Sequence, residues 1–580
     1  MRISVVIATF NRKHSLAECL RTLVDQDFPV EQFEIIVVID GSNDGTAEML
    51  RSQPFRPKLT IFEQNNSGQA GARNAGVDLS GGDIILFLDD DMQCERNLLS
   101  AHWEAHKANA SAVVCGEIRP VLSSSPTPAE VSLHEDLSRY YAALKERGHP
   151  VWPDNAWIGP NCSMPRHVFA ANGGFDEASF PRRWEDVDFG IRLWKAGTLF
   201  RYAPDAVVSH RFLKSVRQSS VDAQEDGASI VRLSRKHPEF RAGSSIYAAL
   251  AAPLWKRLTM RVLSSTRLLH SAGLGSLRRA LDRVTWPSNI LRFRNRLSGF
   301  QHLVILLAGA RCEAGSWRKL NRLYSVRLPV LLYHHIGNPN ALMKQHGLSV
   351  SMAKFRRHLR WLRIRGFQPI TSAQWMAWCR EGVPLPDKPV LLTFDDGYSD
   401  LVTNAFPELL GFRFPALVFV ITELAGRNKD WEGSPLLNFG QIRHWAAQGI
   451  EFGGHTRTHA DLSITSDEQT DGEVRGCRRD LDCETVETTS FAYPYGSFTN
   501  VARRSVETVF AQAFTCEEGL NDLRTDPLLL KRTMVHPGDT ILDLEFRLQF
   551  GRSPLDPWRR RLRIRSRLAR LFRKVVLHHG

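Results

Sequence analysis

Apolar and polar positions along this chain fall into two blocks of strand-like runs separated by stretches of helical spacing. Ile3 to Ile7 and Glu34 to Ile39 are β-branched runs that end in small or polar residues, the pattern of buried strands. Between them, Ser15 to Val24 places Leu16, Leu20 and Leu23 at helical spacing. The alternation continues through Leu59–Phe62 and Asp83–Leu88, which predicts a parallel α/β sheet. A second series, Pro329–Tyr333, Pro389–Phe394 and Ile450–Gly454, reads as strands of a second block. Between the two, Ile246 to Leu269 mixes apolar residues with Lys256, Arg257, Arg261 and Arg267 at spacings compatible with an amphipathic helix. Leu277 to Leu297 continues with six further arginines, and after residue 557 Trp558, Leu562, Leu568, Leu571 and Val575 recur among arginines in the same way. The expected division is a domain over 1–240, a basic helical linker over 241–328, a second domain over 329–545 and a basic amphipathic tail over 546–580.

Composition narrows the class. The chain has 580 residues, 43% apolar and 24% charged, which excludes a disordered or collagen-like protein. The longest apolar runs, such as Ile246–Leu254 and Leu303–Ala310, are shorter than the ~20 residues of a membrane span. Met1-Arg2 leads straight into the first strand, so no signal peptide is expected, and the nine cysteines lack framework spacing. These features point to a cytoplasmic enzyme with reduced thiols. The net charge is +13, but it is not spread evenly. Residues 241–328 hold 16 Lys+Arg against 2 Asp+Glu, and 557–580 hold nine against none, leaving about −10 for the rest. Segregated basic amphipathic segments suit an anionic membrane surface, which would place the protein on the inner face of the cell membrane. Nucleic acid is not expected, because no recognisable binding module accompanies the arginines. A helical connector with a solvated basic face remains the structural alternative for the linker.

Polar residues cluster where the first block's strands end: Thr9, Asn11 and Arg12, then Asp40, then Asp89-Asp90-Asp91. Ligands of parallel α/β sheets bind at those carboxyl ends. Three adjacent carboxylates repel one another unless a cation compensates them, and Mg²⁺ or Mn²⁺ shares such oxygens with substrate phosphates. Alone, the triplet reads more readily as a solvated turn. Its companions decide: Ser4–Arg12, Val37–Thr46, Gly71–Gly76, Phe87–Asp91 and Trp184–Arg192 occur in order. Over roughly residues 1–215 the chain resembles the family 2 glycosyltransferases of GT-A fold. The resemblance implies that Thr9 and Asp40 hold the base of a nucleotide-sugar donor, with Arg73 near the ribose or phosphates. It implies a site for Mg²⁺ or Mn²⁺ and diphosphate at Asp89 and Asp91. Asp186, with Glu185 close by, would deprotonate the acceptor hydroxyl in an inverting displacement. His210 matches a histidine often found near the metal, although a lone His after a strand is as readily structural.

In the second block, Thr393-Phe394-Asp395-Asp396-Gly397 ends one strand and His455-Thr456-Arg457-Thr458-His459 follows another. Two histidines four apart can face one way on a helical turn and hold one metal, with a carboxylate as third ligand and open positions left for water and substrate. An HxxxH pair alone is a weak signal. With Thr-Phe-Asp-Asp-Gly upstream and Tyr493-Pro494-Tyr495-Gly496 downstream, residues ~329–545 resemble carbohydrate esterase family 4, the polysaccharide deacetylases with a distorted (β/α) barrel. The resemblance implies that Asp396, His455 and His459 bind Zn²⁺ or another divalent metal. Asp395 would be the general base on the attacking water, and Tyr495, through its backbone N–H, an oxyanion donor. Two departures stand out. Ala492 occupies the place where the family commonly has Arg, so Asp395 must be oriented from elsewhere. The family's general-acid histidine has no clean match, and His536 is the nearby candidate.

Together these features predict a bifunctional enzyme of bacterial surface-glycan assembly. It would transfer a sugar from a nucleotide-sugar donor to a glycan or lipid-linked acceptor and hydrolyse an N-acetyl group from an amino sugar. In the alternative, the transferase is active and the deacetylase-like barrel only binds glycan.

Overall fold

The computed structural model describes residues 2–52, 54–122, 128–147, 159–211, 216–265, 288–338, 340, 347–426, 430–484 and 486–556. The basic tail from residue 557 onward and the linker arginines Arg267, Arg278, Arg279 and Arg283 lie outside them. The chain divides into two compact units, Met1–Trp317 and Arg318–Gly580, so the boundary falls within the basic 241–328 segment. Both units are α/β, as the apolar pattern predicts for the first.

In the first unit the β-branched runs become β1 (Ile3–Thr9), β2 (Phe33–Asp40), β3 (Lys58–Gln64) and β4 (Ile84–Asp89). They pair in parallel, with β1 between β2 and β4 and β3 outside β2. Parallel strands need crossover helices on the sheet faces, which is why β2 is buried along its whole length. The helix Lys13–Val24 covers one face with Leu16, Cys19, Leu20 and Leu23. Four further strands complete an eight-stranded sheet among the described residues: β5 (Met92–Cys94), β6 (Val113–Val121), β7 (Cys162–Pro165) and β8 (Phe200–Arg211). The order is β3-β2-β1-β4-β7-β6-β8-β5, with β7 antiparallel to β4 and β6.

The basic segment gives one correction. The spacing over Ile246 to Leu269 predicts one amphipathic helix, but two form, Ser245–Ala251 and Leu254–Ser265. Ala252 precedes Pro253, whose ring crowds the preceding residue out of the α region, and Ala252 is extended at ψ 160°. Beyond residue 287 a long helix, Ser288–Ala314, lies along Val216–Lys236 in the same unit. Two glycines permit that approach, because a Cβ on Gly227 would overlap the Leu306 carbonyl and one on Gly309 the Gln224 carbonyl. Glu313 pins the seam by accepting from Arg232 Nε at 3.1 Å and Arg235 Nη1 at 2.8 Å. No helix among the described residues is long and apolar enough to cross a membrane.

The second unit contains β9 (Val330–Tyr333), β10 (His335–Ile336), β11 (Ser349–Val350), β12 (Gln368–Pro369), β13 (Pro389–Phe394) and β14 (Leu417–Val420). These are followed by β15 (Asp430–Trp431), β16 (Ser434–Pro435), β17 (Glu451–Gly454), β18 (Ser490–Ala492), β19 (Gln512–Phe514) and β20 (Thr533–Met534). A parallel sheet runs β19-β18-β17-β14-β13-β9-β20, with β12 beside β13. Alternate residues bury opposite faces: Leu331, Val390, Leu392 and Val418 in one core, Val330, Leu391, Leu417 and Phe419 in the other. Burial on both sides leaves the strand ends as the place for polar chemistry.

Candidate active sites

In the first unit the expected residues gather at the carboxyl ends of β1, β2 and β4. Asp40 acts as a loop anchor: its carboxylate accepts from the backbone N–H groups of Ser67 at 2.8 Å and Gly68 at 2.9 Å. Gly68 opens the helix Gln69–Leu79 at φ 89°, and a Cβ there would overlap the Pro181 carbonyl, so only glycine fits. That helix delivers Arg73, which is 2% exposed. Arg73 donates to Asp89 Oδ1 at 2.8 Å and to Glu185 Oε1 at 2.9 Å, joining the end of β4 to the start of the helix Glu185–Lys195.

The three consecutive aspartates divide their work. Asp90 turns back and is buried, accepting from Thr9 Oγ1 at 2.7 Å and Arg12 Nη1 at 2.9 Å. Burial pushes its carboxyl up to about 6, against the pull of Arg12. Asp91 accepts from Arg12 Nη1 at 2.6 Å, and its Oδ1 lies 3.0 Å from His210 Nε2. His210 is brought there because β8 pairs with β5 at Met92↔His210. Asp91 Oδ1 and the His210 nitrogen therefore meet as a pair, a corner that offers two ligand atoms of the kind a divalent cation takes. Glu185 and Asp186 are adjacent acids in a low-dielectric place: burial and the Asp186 charge push Glu185 to about 7, and burial also raises Asp186. Asp186 accepts from the Val187 N–H at 2.8 Å.

In the second unit Asp395 and Asp396 follow β13, and His455 and His459 follow β17. The latter pair does not sit on a helical turn, as the spacing suggests. The segment is a loop in which Thr456 (φ 62°) and His459 (φ 64°) are left-handed. Asp396 (φ 70°) and Tyr495 (φ 59°) share this conformation, each costing on the order of 1–3 kcal/mol that the surrounding structure must offset. The result is convergence: His455 Nε2 and His459 Nε2 stand 3.5 and 3.3 Å from Asp396 Oδ1, and the ligand atoms of all three lie within 4.8 Å. Asp396 Oδ1 is buried and receives no hydrogen bond from the described residues, so this donor set fits a divalent metal ion. The Ala492 carbonyl lies 2.8 Å from His455 Nδ1 and aims the other ring nitrogen at the cluster.

Arg532 is the missing arginine. Its Nη1 and Nη2 donate to Asp395 Oδ1 at 2.6 Å and Oδ2 at 2.9 Å, and its Nε donates to the Thr515 carbonyl. The buried guanidinium lies over Phe419 and Phe514. Burial alone would raise the Asp395 carboxyl, but Arg532, His455 and His334 together hold it below the usual range. His334, at the end of β9, is the second residue that motif reading passes over. It is partly exposed, and both Asp395 and Asp396 act on its ring, whose affinity for protons is lowered by burial and by Arg532 and His455. Tyr495 is exposed, its ring 4.8 Å from that of His459. His536 lies beyond β20, where its N–H donates to Asp539 Oδ2 at 3.0 Å, and it is not among the converging ligands.

Residues 4–169 match the family model described as Glycosyl transferase family 2, and residues 382–512 match that described as Polysaccharide deacetylase. The chain is similar to the Uncharacterized glycosyltransferase YfnE of Bacillus subtilis, 28% identical over 46% of this chain and 79% of that protein. It is similar to the Putative polysaccharide deacetylase YxkH of the same organism, 27% identical over 39% of this chain and 77% of that protein. A shorter likeness, 45% identical over 13% of this chain and 11% of the other, is to the Poly-beta-1,6-N-acetyl-D-glucosamine N-deacetylase of Escherichia coli.

Proposed function

We propose, from a chain that joins a family 2 glycosyltransferase domain to a polysaccharide deacetylase domain, that one protein both extends a bacterial surface glycan and removes acetyl groups from it. The observation that carries the reading is the Asp396–His455–His459 convergence beside an Asp395 clamped by Arg532. A divalent ion held by those three residues would supply Lewis acidity to an amide and make a water more acidic. Asp395, kept ionised by Arg532, takes the proton of the attacking water. His334, on whose ring the charges of Asp395 and Asp396 act, is assigned the return of a proton to the leaving amine. The N–H of Tyr495 is the donor for the developing oxyanion. The similarity to a poly-N-acetylglucosamine deacetylase favours an N-acetylhexosamine polymer as substrate class.

In the first domain the donor is a nucleotide sugar bound at the ends of β1, β2 and β4, with Mg²⁺ or Mn²⁺ at Asp91 and His210, and Asp89 alongside. Asp186 takes the acceptor hydroxyl's proton. Its raised affinity for protons suits a base better than an ordinary aspartate would. A glycan or lipid-linked acceptor agrees with the helix Leu254–Ser265, where Trp255, Leu258 and Val262 are 66%, 51% and 60% exposed on one face. Lys256 lies over the Trp255 ring, a composition suited to the headgroup layer of an anionic membrane.

Single substitutions separate the two activities. Asp186→Asn is expected to abolish sugar transfer and leave acetate release from preformed oligosaccharide unchanged; His455→Ala is expected to do the reverse. Loss of both activities in either folded variant would overturn the assignment of independent sites.

A further inference from the structure

The hairpin β15–β16 carries a residue that its own backbone disfavours. Trp431 pairs with Ser434, which leaves Glu432 and Gly433 as a two-residue turn with φ 48° and 72°. Both central residues of such a turn are left-handed, and Asn-Gly or Asp-Gly is the usual choice. A glutamate there is strained, and the strain persists only where something outside the turn holds it. Asn340 Nδ2 ties the turn down by donating to the Glu432 carbonyl at 3.0 Å and Ser434 Oγ at 2.9 Å. The side chain is placed but not used: Glu432 Oε2 is buried, and no donor among the described residues reaches it. An acceptor oxygen that no described residue satisfies can take a donor from a ligand.

Its surroundings identify the ligand. Glu432 adjoins Trp431 in the turn, and the bridge between Tyr398 and Leu436 joins the hairpin to the loop that carries Asp396, so the turn stands beside the metal-ligand cluster. Trp431 stands 4.9 Å from the His459 ring and Tyr495 4.8 Å from it. The hairpin is locked beside the Asp395–Tyr398 turn by Ser399 N donating to the Pro435 carbonyl and Leu437 N to the Gly397 carbonyl. Aromatic rings beside an acceptor-only carboxylate match a pyranose, which offers apolar C–H faces and hydroxyl donors.

We infer that Glu432 is a specificity-determining residue of the deacetylase site, accepting a hydrogen bond from a ring hydroxyl of the bound amino-sugar chain while Trp431 and Tyr495 border the ring. The inference rests on the deacetylase reading and adds the side chain that selects a sugar over other acetylated compounds.

Chitotetraose is titrated calorimetrically against the full chain loaded with zinc, and p-nitrophenyl acetate hydrolysis, acetate release and zinc content are measured on the same preparations. Glu432→Ala is expected to weaken chitotetraose binding by about tenfold, the size of one lost hydrogen bond to a charged group, with ester hydrolysis and zinc content unchanged. Glu432→Gln, which keeps an acceptor oxygen, is expected to retain most of the affinity. Glu432→Gly relieves the left-handed strain, so it is expected to melt at a higher temperature than the wild type and still bind poorly, a combination that a purely structural glutamate does not give. Unchanged chitotetraose affinity in Glu432→Ala, parallel loss of ester hydrolysis and zinc, or no chitotetraose binding by the wild type each overturns the inference. Glu432-dependent binding without acetate release from the wild type supports it and sinks the deacetylase reading instead.

Discussion

At the scale of single residues, the second site depends on a charge pair whose members are 137 positions apart. Arg532 and Asp395 are both nearly inaccessible to water, and removing one leaves the other as an uncompensated buried charge. Arg532→Ala is therefore expected to destabilise the second unit by about 3–5 kcal/mol. It also has a pH signature. Burial raises the Asp395 carboxyl and Arg532 is the first influence opposing it, so without Arg532 this proposed base stays protonated to a higher pH. The acid limb of the kcat/KM profile for acetate release is expected to move upward in pH in Arg532→Ala, and less so in Arg532→Lys. An unmoved limb in a folded variant would mean that Arg532 does not hold the base. The metal-ligating candidates were legible in sequence because Asp395-Asp396 and His455…His459 are local motifs. Arg532 was not, since its acid meets it only when β9 and β20 close the sheet beside β13. His334 was hidden in a related way, beside His335 at the end of an apolar strand and far in sequence from Asp395 and Asp396.

At the scale of elements, hydrophobic spacing predicted the parallel strands well because both sheet faces are buried and the runs are continuous. It failed where backbone conformation rather than side-chain pattern decides. Pro253 splits what spacing joins, and the His455–His459 interval reproduces a helical repeat without a helix, through left-handed Thr456 and His459. The seam between Val216–Lys236 and Ser288–Ala314 was invisible for a related reason: Gly227 and Gly309 contribute by lacking a side chain. Gly309→Val is expected to destabilise the first unit by about 1–3 kcal/mol, the usual penalty for overpacking, and to lower the first unfolding transition in a calorimetric scan. A transition at the wild-type temperature would show that the two helices can separate without cost. Glu313, one of the two acids in the 241–328 segment, is anchored in this seam between Arg232 and Arg235, so part of the basic stretch is structural.

At the scale of the whole molecule, the uneven charge acquires a division of labour. The helix Ser288–Ala314 is built into the first unit, whereas Leu254–Ser265 turns Trp255, Leu258 and Val262 outward. Trp255→Ala is expected to reduce co-sedimentation with phosphatidylglycerol vesicles, with little effect in phosphatidylcholine, while sugar transfer to a soluble acceptor is unchanged. Binding equal to wild type would leave that face without a membrane role. Sequence alone located the charge but could not separate these contributions, because an arginine in a helix seam and one on a free face look alike until the neighbouring helix is known.

The strand β9 has one more consequence, for inheritance rather than catalysis. It lies one strand in from the sheet's edge, between β13 and the edge strand β20, and His334 follows its last residue. A gene fragment cut around the recognisable motifs, from Pro389 to Tyr495, would lose Arg532, the buried partner of Asp395, and His334 with it. Such a fragment would be a sequence signature without a working centre. Exchange between related genes can preserve this chemistry only when the crossover falls before β9 and after β20, so the smallest heritable unit is much larger than the motifs that advertise it.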